Sequence, residues 1–448
     1  MKNFNYVQFL FDYGTLIILA GLCCWFSYVT IEEQSPTSSR AAELLANEIK
    51  MDAPAGCNII VLSRQGGEGE RFAQALTEKL LKSGINVNST IIGQPVDARK
   101  ALEELGINGT TLHGIAADKH MANFANSNLK KLSESYPNFT KTIIFQPKSY
   151  LWPNFLKREN LLNIMKQISV VAIIAIGMTM IIITAGIDLS VGSLIAFSGV
   201  ITALAIQSVG GENPLTWHLW LGAISGIVIC GLIGFFTGGL VTIFRIPAFI
   251  ATLGIMFIAK GLAFIFSDSA PIPVANEAFG WLGRGRNFFG LPNSVALMLG
   301  LYAIAHITMT RTSIGRYIYA VGGNPEAARL SGVPVKWILV FVYTLTGILA
   351  GLGGVMEASL HITGDPKSGD LVELKVIAAV VVGGTSLAGG QGRILGTLIG
   401  AFIIAVINNG MNLTGVESHM QKVIYGAVIL IAVLIDQLKI HLLKLKKY

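Results

Sequence analysis

Charge is what this sequence has least of. Of its 448 residues, 13% are Asp, Glu, Lys or Arg, about half of what an ordinary globular domain carries. That scarcity excludes an ordinary soluble domain. Together with 52% hydrophobic residues and a mean hydropathy of +0.61, it points to a chain that crosses a membrane many times. Cysteine is scarce as well. Four cysteines are too few for a disulfide framework: Cys23, Cys24 and Cys230 lie in apolar runs as small packing residues, and Cys57 stands alone in its polar region. No His/Cys cluster has zinc-ligand spacing, and no nucleophile stands beside a base, so no catalytic, metal or cofactor residues are assigned and an enzyme is not expected. The G-x-x-x-x-G-K-[ST] phosphate loop is missing, so any ATP hydrolysis must occur on another chain. The net charge of +7 comes without the basic stripe and interleaved aromatics that nucleic acid needs; Lys and Arg flanking membrane spans account for it.

What is present is a succession of apolar runs. The first, "GTLIILAGLCCWFSYVT" at 14–30, reads as a retained transmembrane helix rather than a cleaved leader, because only Lys2 precedes it and no A-x-A site follows. From about 168 the chain is apolar to its end, with helices expected near 169–187, 189–208, 217–242, 247–267, 292–310, 337–360, 371–388, 394–413 and 420–437. With the first run that makes about ten spans, each near the ~20 residues a bilayer requires. Residues 31–150 differ. "CNIIVLSRQ", "INVNSTIIG", "LHGIAAD" and "TIIFQ" read as strands alternating with helices such as "EGERFAQALTEKLLKSG" and "DARKALEELG", the pattern of a small α/β domain with a parallel sheet. Its "RQGGEGER" lacks both phosphate-binding glycine fingerprints and reads as a turn before a helix. The expected fold is an all-α polytopic membrane protein of about ten transmembrane helices with a small α/β domain inserted after the first. The expected divisions are 1–30, 31–150 and 151–448.

Orientation follows from short-loop Lys and Arg. Arg311, Arg316, Arg329 and Lys336 cluster in the 311–336 loop, and the tail "KIHLLKLKKY" is basic; both are expected in the cytoplasm. Ten spans then place the N-terminus in the cytoplasm and residues 31–150 outside. Lys157, Arg158, Lys166, Arg284 and Arg286 run against this rule.

A few polar groups stand out in the apolar region. Asp188, in "TAGIDLSVGS", is a carboxylate where burial in lipid costs about 2.5–3.5 kcal/mol. It is therefore paired, at a membrane edge or lining a wet cavity; it either caps the following helix through the amide of Ser190 or Val191, or contacts cargo directly, with Ser190 beside it on the candidate path. "VVGGTSLAGGQGRILGT" at 381–397 interrupts the helical pattern. It is either a broken segment that brings Thr385 and Ser386 to a pathway, or a turn at the cytoplasmic surface. Asn408 and Asn409 lie within a span and can bond between helices. Lys260 is read as snorkelling, and Glu373 and Lys375 as the outer end of a span.

The remaining feature is "GGNPEAARLSGVPV" at 322–335. Asn324 suits an N-cap, Pro325 and Glu326 the first turn, Gly332 a C-cap, and Pro334 stops the helix. About two turns of helix result, too short to stand alone. The stretch resembles the coupling loop of ribose-type ABC import permeases, the sugar branch of bacterial binding-protein-dependent transporters. "NFLKRENLLNIMKQISVVAIIAIGMTMIIITAGIDLSVGS", "IPAFIATLGIMFIAKGLAF" and "VVGGTSLAGGQGRILGTLIGAFIIAVINNGMNL" resemble further blocks of that family, in the same order. The resemblance implies a permease subunit of the bacterial cytoplasmic membrane that carries a small sugar such as ribose. It implies a second permease subunit, identical or sister, and an extracytoplasmic sugar-binding protein. It also implies cytoplasmic ATPase subunits, which hold ATP and Mg and grip Asn324, Pro325, Glu326, Ala327, Ala328, Arg329 and Gly332. Where the family has an Asn in its fourth helix, Thr237 stands here in "GFFTG", which adds Thr237 to the residues expected along the pathway. Residues 31–150 stand where relatives have a short loop, and resemble the first lobe of a periplasmic sugar-binding protein. An ion-coupled transporter or channel without an ATPase is the rival reading, with Asp188 as its carboxylate.

Overall fold

The computed structural model of the protein describes residues 6–54, 56–287 and 290–445. The chain forms two compact units, Ile31–Pro153 and Met1–Thr30 with Asn154–Tyr448. Helix α1 (Tyr6–Val29) belongs to the larger. The smaller unit then runs β1 (Ile31–Gln34), α2 (Ser39–Asp52), β2 (Asn58–Arg64), α3 (Gly67–Lys82), β3 (Asn86–Gly93), α4 (Pro95–Ile107), β4 (Gly114–Ala117), α5 (Lys119–Ser135), β5 (Ile143–Phe145) and β6 (Tyr150–Pro153).

In this unit β3, β2, β4 and β5 form one parallel sheet in that order, while β1 pairs antiparallel with β6. Alternation along β2 decides the layers. Ile59 and Val61 pack with α2 and α3, whereas Ile60 and Leu62 pack with α4 and α5. Both faces are covered, which is why β2 reads as an unbroken apolar run. Buried Asp118 ties the sheet's carboxyl end together. It caps α5 through the amide of Met121 (2.9 Å) and accepts from the Ser63 hydroxyl (3.0 Å) and the Arg64 amide (2.8 Å).

The larger unit resumes with α6 (Arg158–Ile183), α7 (Val191–Gly210), α8 (Thr216–Thr242), α9 (Ala248–Phe266), β7 (Ile272–Pro273), α10 (Asn293–Arg311), α11 (Ser313–Gly323) and α12 (Pro325–Leu330). It ends with α13 (Val335–His361), β8 (Thr363–Gly364), α14 (Val372–Val382), α15 (Ile394–Leu413) and α16 (Ser418–Leu445). Among the described residues seven helices are long and apolar enough to cross a membrane: α6 to α10, α13 and α15. The chain is a multi-pass membrane protein. Its most extensive helix–helix contact is the α8–α13 pair, where glycines on both sides let the backbones meet. A Cβ at Gly234 would collide with the carbonyl of Tyr343, one at Gly238 would lie 2.7 Å from Val340 Cα, and one at Gly351 would lie 2.9 Å from Ile227 Cα.

Four helices depart from their expected bounds: α1 begins at Tyr6 rather than 14, α16 runs to Leu445 rather than 437, and α6 and α14 differ for reasons the structure shows. α6 begins at Arg158 rather than 169, because Leu162, Ile164 and Ile168 already carry a buried face through the polar stretch "RENLLNIMKQ". α14 has 11 residues where 371–388 was expected to be helical. Left-handed backbone bounds it, with Leu371 at φ +61° before it and Gly384 at φ +89° after it.

Candidate functional site

Helix α12 is built as its sequence dictates. The Asn324 side chain accepts from the amides of Glu326 and Ala327, both at 3.0 Å. Pro325 occupies the first turn, and the Arg329 guanidinium bonds Glu326 at 3.0 Å. Gly332, at φ +82°, takes the left-handed position just past the helix, and the Val333 amide returns to the Ala328 carbonyl. Ala328 is turned inward and 5% exposed, whereas Leu330 is 79% exposed and Glu326 and Arg329 point to solvent. Among the described residues, nothing covers Leu330 and the Glu326–Arg329 pair beside it.

The residues just before α12 join it to the bundle. A Cβ at Gly322 would collide with the carbonyl oxygen of Ile183 and lie 2.7 Å from the amide nitrogen of Gly390. The Gly390 amide donates to that same Ile183 carbonyl at 2.8 Å. The Tyr319 hydroxyl donates to the Gly392 carbonyl, also at 2.8 Å. Three pieces of backbone thus meet without side chains between them: the last turn of α11, the end of α6 and the 383–393 turn.

That turn is where the structure places Thr385 and Ser386. Both are buried. The Ser386 amide bonds the Gln391 carbonyl and the Gly389 amide bonds the Ser386 carbonyl, closing a tight loop between α14 and α15. Among the described residues the Thr385 hydroxyl has no hydrogen-bond partner. The loop lies at the same end of the bundle as α12.

Asp188 lies in the extended segment between α6 and α7, 3% exposed. Its Oδ1 accepts from the Ser190 amide (2.8 Å) and the Ser190 hydroxyl (2.6 Å). Asp188 and Ser190 therefore bond each other. The preceding Ala185 has φ +61°, and Gly186 packs beside the Tyr343 hydroxyl. The Thr252 hydroxyl of α9 reaches the Ile187 carbonyl at 3.3 Å. Among the described residues no cation forms an ion pair with Asp188.

The other sequence-chosen residues are dispersed. Thr237 is buried in the α8–α13 contact and its hydroxyl bonds the Ile233 carbonyl of its own helix (2.8 Å). Asn409 pairs reciprocally with Asn160 of α6, at 2.7 and 3.0 Å, and the half-buried Asn408 is its neighbour. Asn160, Tyr319 and Gly322 escaped the sequence reading. Only the Gly322–Gly323 pair carried a local signal, a glycine pair at the end of an amphipathic helix.

The family model described as the permease component of the branched-chain amino acid transport system matches residues 160–433. The chain belongs to this permease family. The permease is 45% identical over 296 residues to the ribose import permease protein of Escherichia coli (strain K12), covering 65% of this chain and 89% of that one. It is 42% identical over 292 residues to the ribose import permease protein of Bacillus subtilis (strain 168), covering 65% and 88%. It is 35% identical over 295 residues to the L-arabinose ABC transporter permease protein of Azospirillum brasilense, covering 66% and 85%. No solved structure matches the permease. The family match begins at residue 160, so Ile31–Pro153 lies outside it.

Proposed function

We propose that this permease is the membrane-spanning subunit of an ATP-driven ABC importer for a monosaccharide, ribose or a related sugar, in the bacterial cytoplasmic membrane. The observation that carries the reading is α12, a six-residue helix capped at both ends that presents Glu326, Arg329 and Leu330 outward. Such a helix does not hold itself together; it suits a groove on a separate cytoplasmic ATPase, which binds ATP and Mg. The ribose and arabinose permeases among its relatives supply the cargo class.

In this reading the chain crosses the membrane about ten times, with both termini and the 311–336 loop in the cytoplasm. Two permease subunits enclose the pathway, and an extracytoplasmic binding protein delivers the sugar. ATP-driven closure of the ATPases displaces Asn324, Pro325, Glu326, Ala327, Ala328, Arg329 and Gly332 as one body. The Gly322 joint passes that displacement to the end of α6 and to the 383–393 turn, and so to Asp188 and Ser190 on one side and Thr385 and Ser386 on the other. The two accessible states of the bundle are thereby biased by one contact.

The test is retention of a P-loop ATPase when the detergent-solubilised chain is isolated from its native membrane. Wild type is expected to bring the ATPase down. A Glu326→Lys, Leu330→Asp variant, altered only at exposed positions, is expected to lose it while keeping its own yield. If no ATPase accompanies wild type, α12 is a surface helix and ion-driven transport takes precedence.

The Ile31–Pro153 unit is proposed to lie outside the membrane and to dock the free binding protein. Deleting residues 36–148 is expected to reduce sugar uptake severalfold with ATPase retention intact. Unchanged uptake would remove the docking role.

A further inference from the structure

Two helices of the membrane unit begin within the apolar layer, not at its surface. α14 has 11 residues, a rise of about 16 Å, roughly half of the ~30 Å apolar layer. It ends in the 383–393 turn, which packs on Gly322 beside α12. Its first residue, Val372, therefore lies about half-way across. α7 begins at the same depth. A Cβ at Gly192 would collide with the Glu373 carboxylate and lie 2.6 Å from the Gly369 carbonyl, and one at Gly369 would lie 3.0 Å from Ile195 Cβ. Neither helix start is closed by the side chain at its N-cap. The Ser190 hydroxyl is turned to Asp188, and Leu371 offers none and holds a left-handed backbone. The positive ends of two discontinuous helices thus converge, with the Val372 amide already bonded to the Gly369 carbonyl at 3.1 Å.

Three charged side chains stand at this junction. Lys260 lies in the interior of α9, an apolar span, and its ammonium pairs with the Asp370 carboxylate. Glu373 occupies the first turn of α14, three residues after Asp370, and lies against Gly192 at the start of α7. The pair is open on one side, since the Asp370 side chain is 64% exposed and that of Lys260 29%. Charge at this depth is not stable against acyl chains; it faces water or a water-lined protein wall. Leu371, a non-glycine residue at φ +61°, stands immediately before α14.

We propose that Lys260, Asp370 and Glu373, where the starts of α7 and α14 meet, form a cargo-contact site in the pathway for a neutral polyhydroxylated molecule. Hydroxyl groups donate to the two carboxylates and accept from the ammonium. Donors and acceptors at one place match the paired chemistry of a polyol. Two carboxylates against one ammonium leave the cluster net negative, which turns away anionic cargo. The proposal rests on the sugar-permease reading above and adds to it the residues that meet the sugar inside the membrane.

The test uses the full chain in cells whose own copy has been removed, with the native cysteines replaced and Asp370→Cys or Lys260→Cys introduced singly. A membrane-impermeant, water-soluble methanethiosulfonate is expected to modify both positions, and D-ribose or L-arabinose, whichever wild type takes up, is expected to slow the modification. Glu373→Gln is expected to raise the KM for that sugar about tenfold while the co-isolated ATPase is retained. No modification at either position overturns the proposal whatever the cargo. Modification that the transported sugar does not slow, with an unchanged KM in Glu373→Gln, overturns the cargo contact. If wild type takes up no sugar, the sugar reading falls separately, and labelling alone then decides whether the junction faces water.

Discussion

Gly322→Ala is expected to abolish uptake and to lower the stability of the solubilised protein by about 3 kcal/mol or more. The added Cβ would occupy the place of the Ile183 carbonyl oxygen and crowd the Gly390 amide at 2.7 Å. Those two atoms are bonded to each other at 2.8 Å. Both are backbone, so no rotamer change relieves the overlap. Either α11 lifts off or the Gly390–Ile183 bond breaks, and each separates α12 from the broken segments it is proposed to drive. Gly323→Ala is the control, because a Cβ there meets nothing within 4 Å. Thermal unfolding and labelled-sugar uptake read out both variants. A Gly322→Ala protein that melts and transports like wild type would dissolve the proposed joint.

Asp188→Leu is the second large effect. The Ser190 amide and hydroxyl both donate to Asp188 Oδ1 in a segment where the carboxylate is 3% exposed. Leucine leaves both donors without that acceptor, at about 1–3 kcal/mol for each buried group, so a loss of roughly 2–6 kcal/mol and of all uptake is expected. Asp188→Asn keeps an oxygen at the same place. Its melting temperature is expected to stay within a few degrees of wild type, which isolates the charge. Uptake by Asp188→Asn near the wild-type level would assign Asp188 to holding the entry of α7. Loss of uptake in a stable Asp188→Asn protein would assign the charge itself to transport.

Much of α12 was legible in the sequence. Asn324, Pro325, Glu326 and Gly332 carry their capping preferences locally, and the structure forms α12 between them. The seven long apolar helices were legible for the same reason, since length and composition suffice for them. Lys260 was not. Read as a snorkelling residue, it bonds Asp370, 110 residues away. Asn409 was read as an interhelical donor, but its partner Asn160 lies 249 residues off. Nothing local in either sequence stretch names the other.

The sequence by itself determined the solvent and the local breaks. Too little charge and too much apolar length require a membrane, because each backbone amide in a bilayer must be paired within helices. Glycine, proline and capping residues set where those helices can start and stop. The tertiary structure alone decided which breaks meet. Gly192 lies against Gly369 and Glu373, and Gly322 against Ile183 and Gly390, because close backbone approach depends on both partners lacking a side chain at the same point in space. A glycine announces that it permits such an approach; only packing chooses the segment that takes it up.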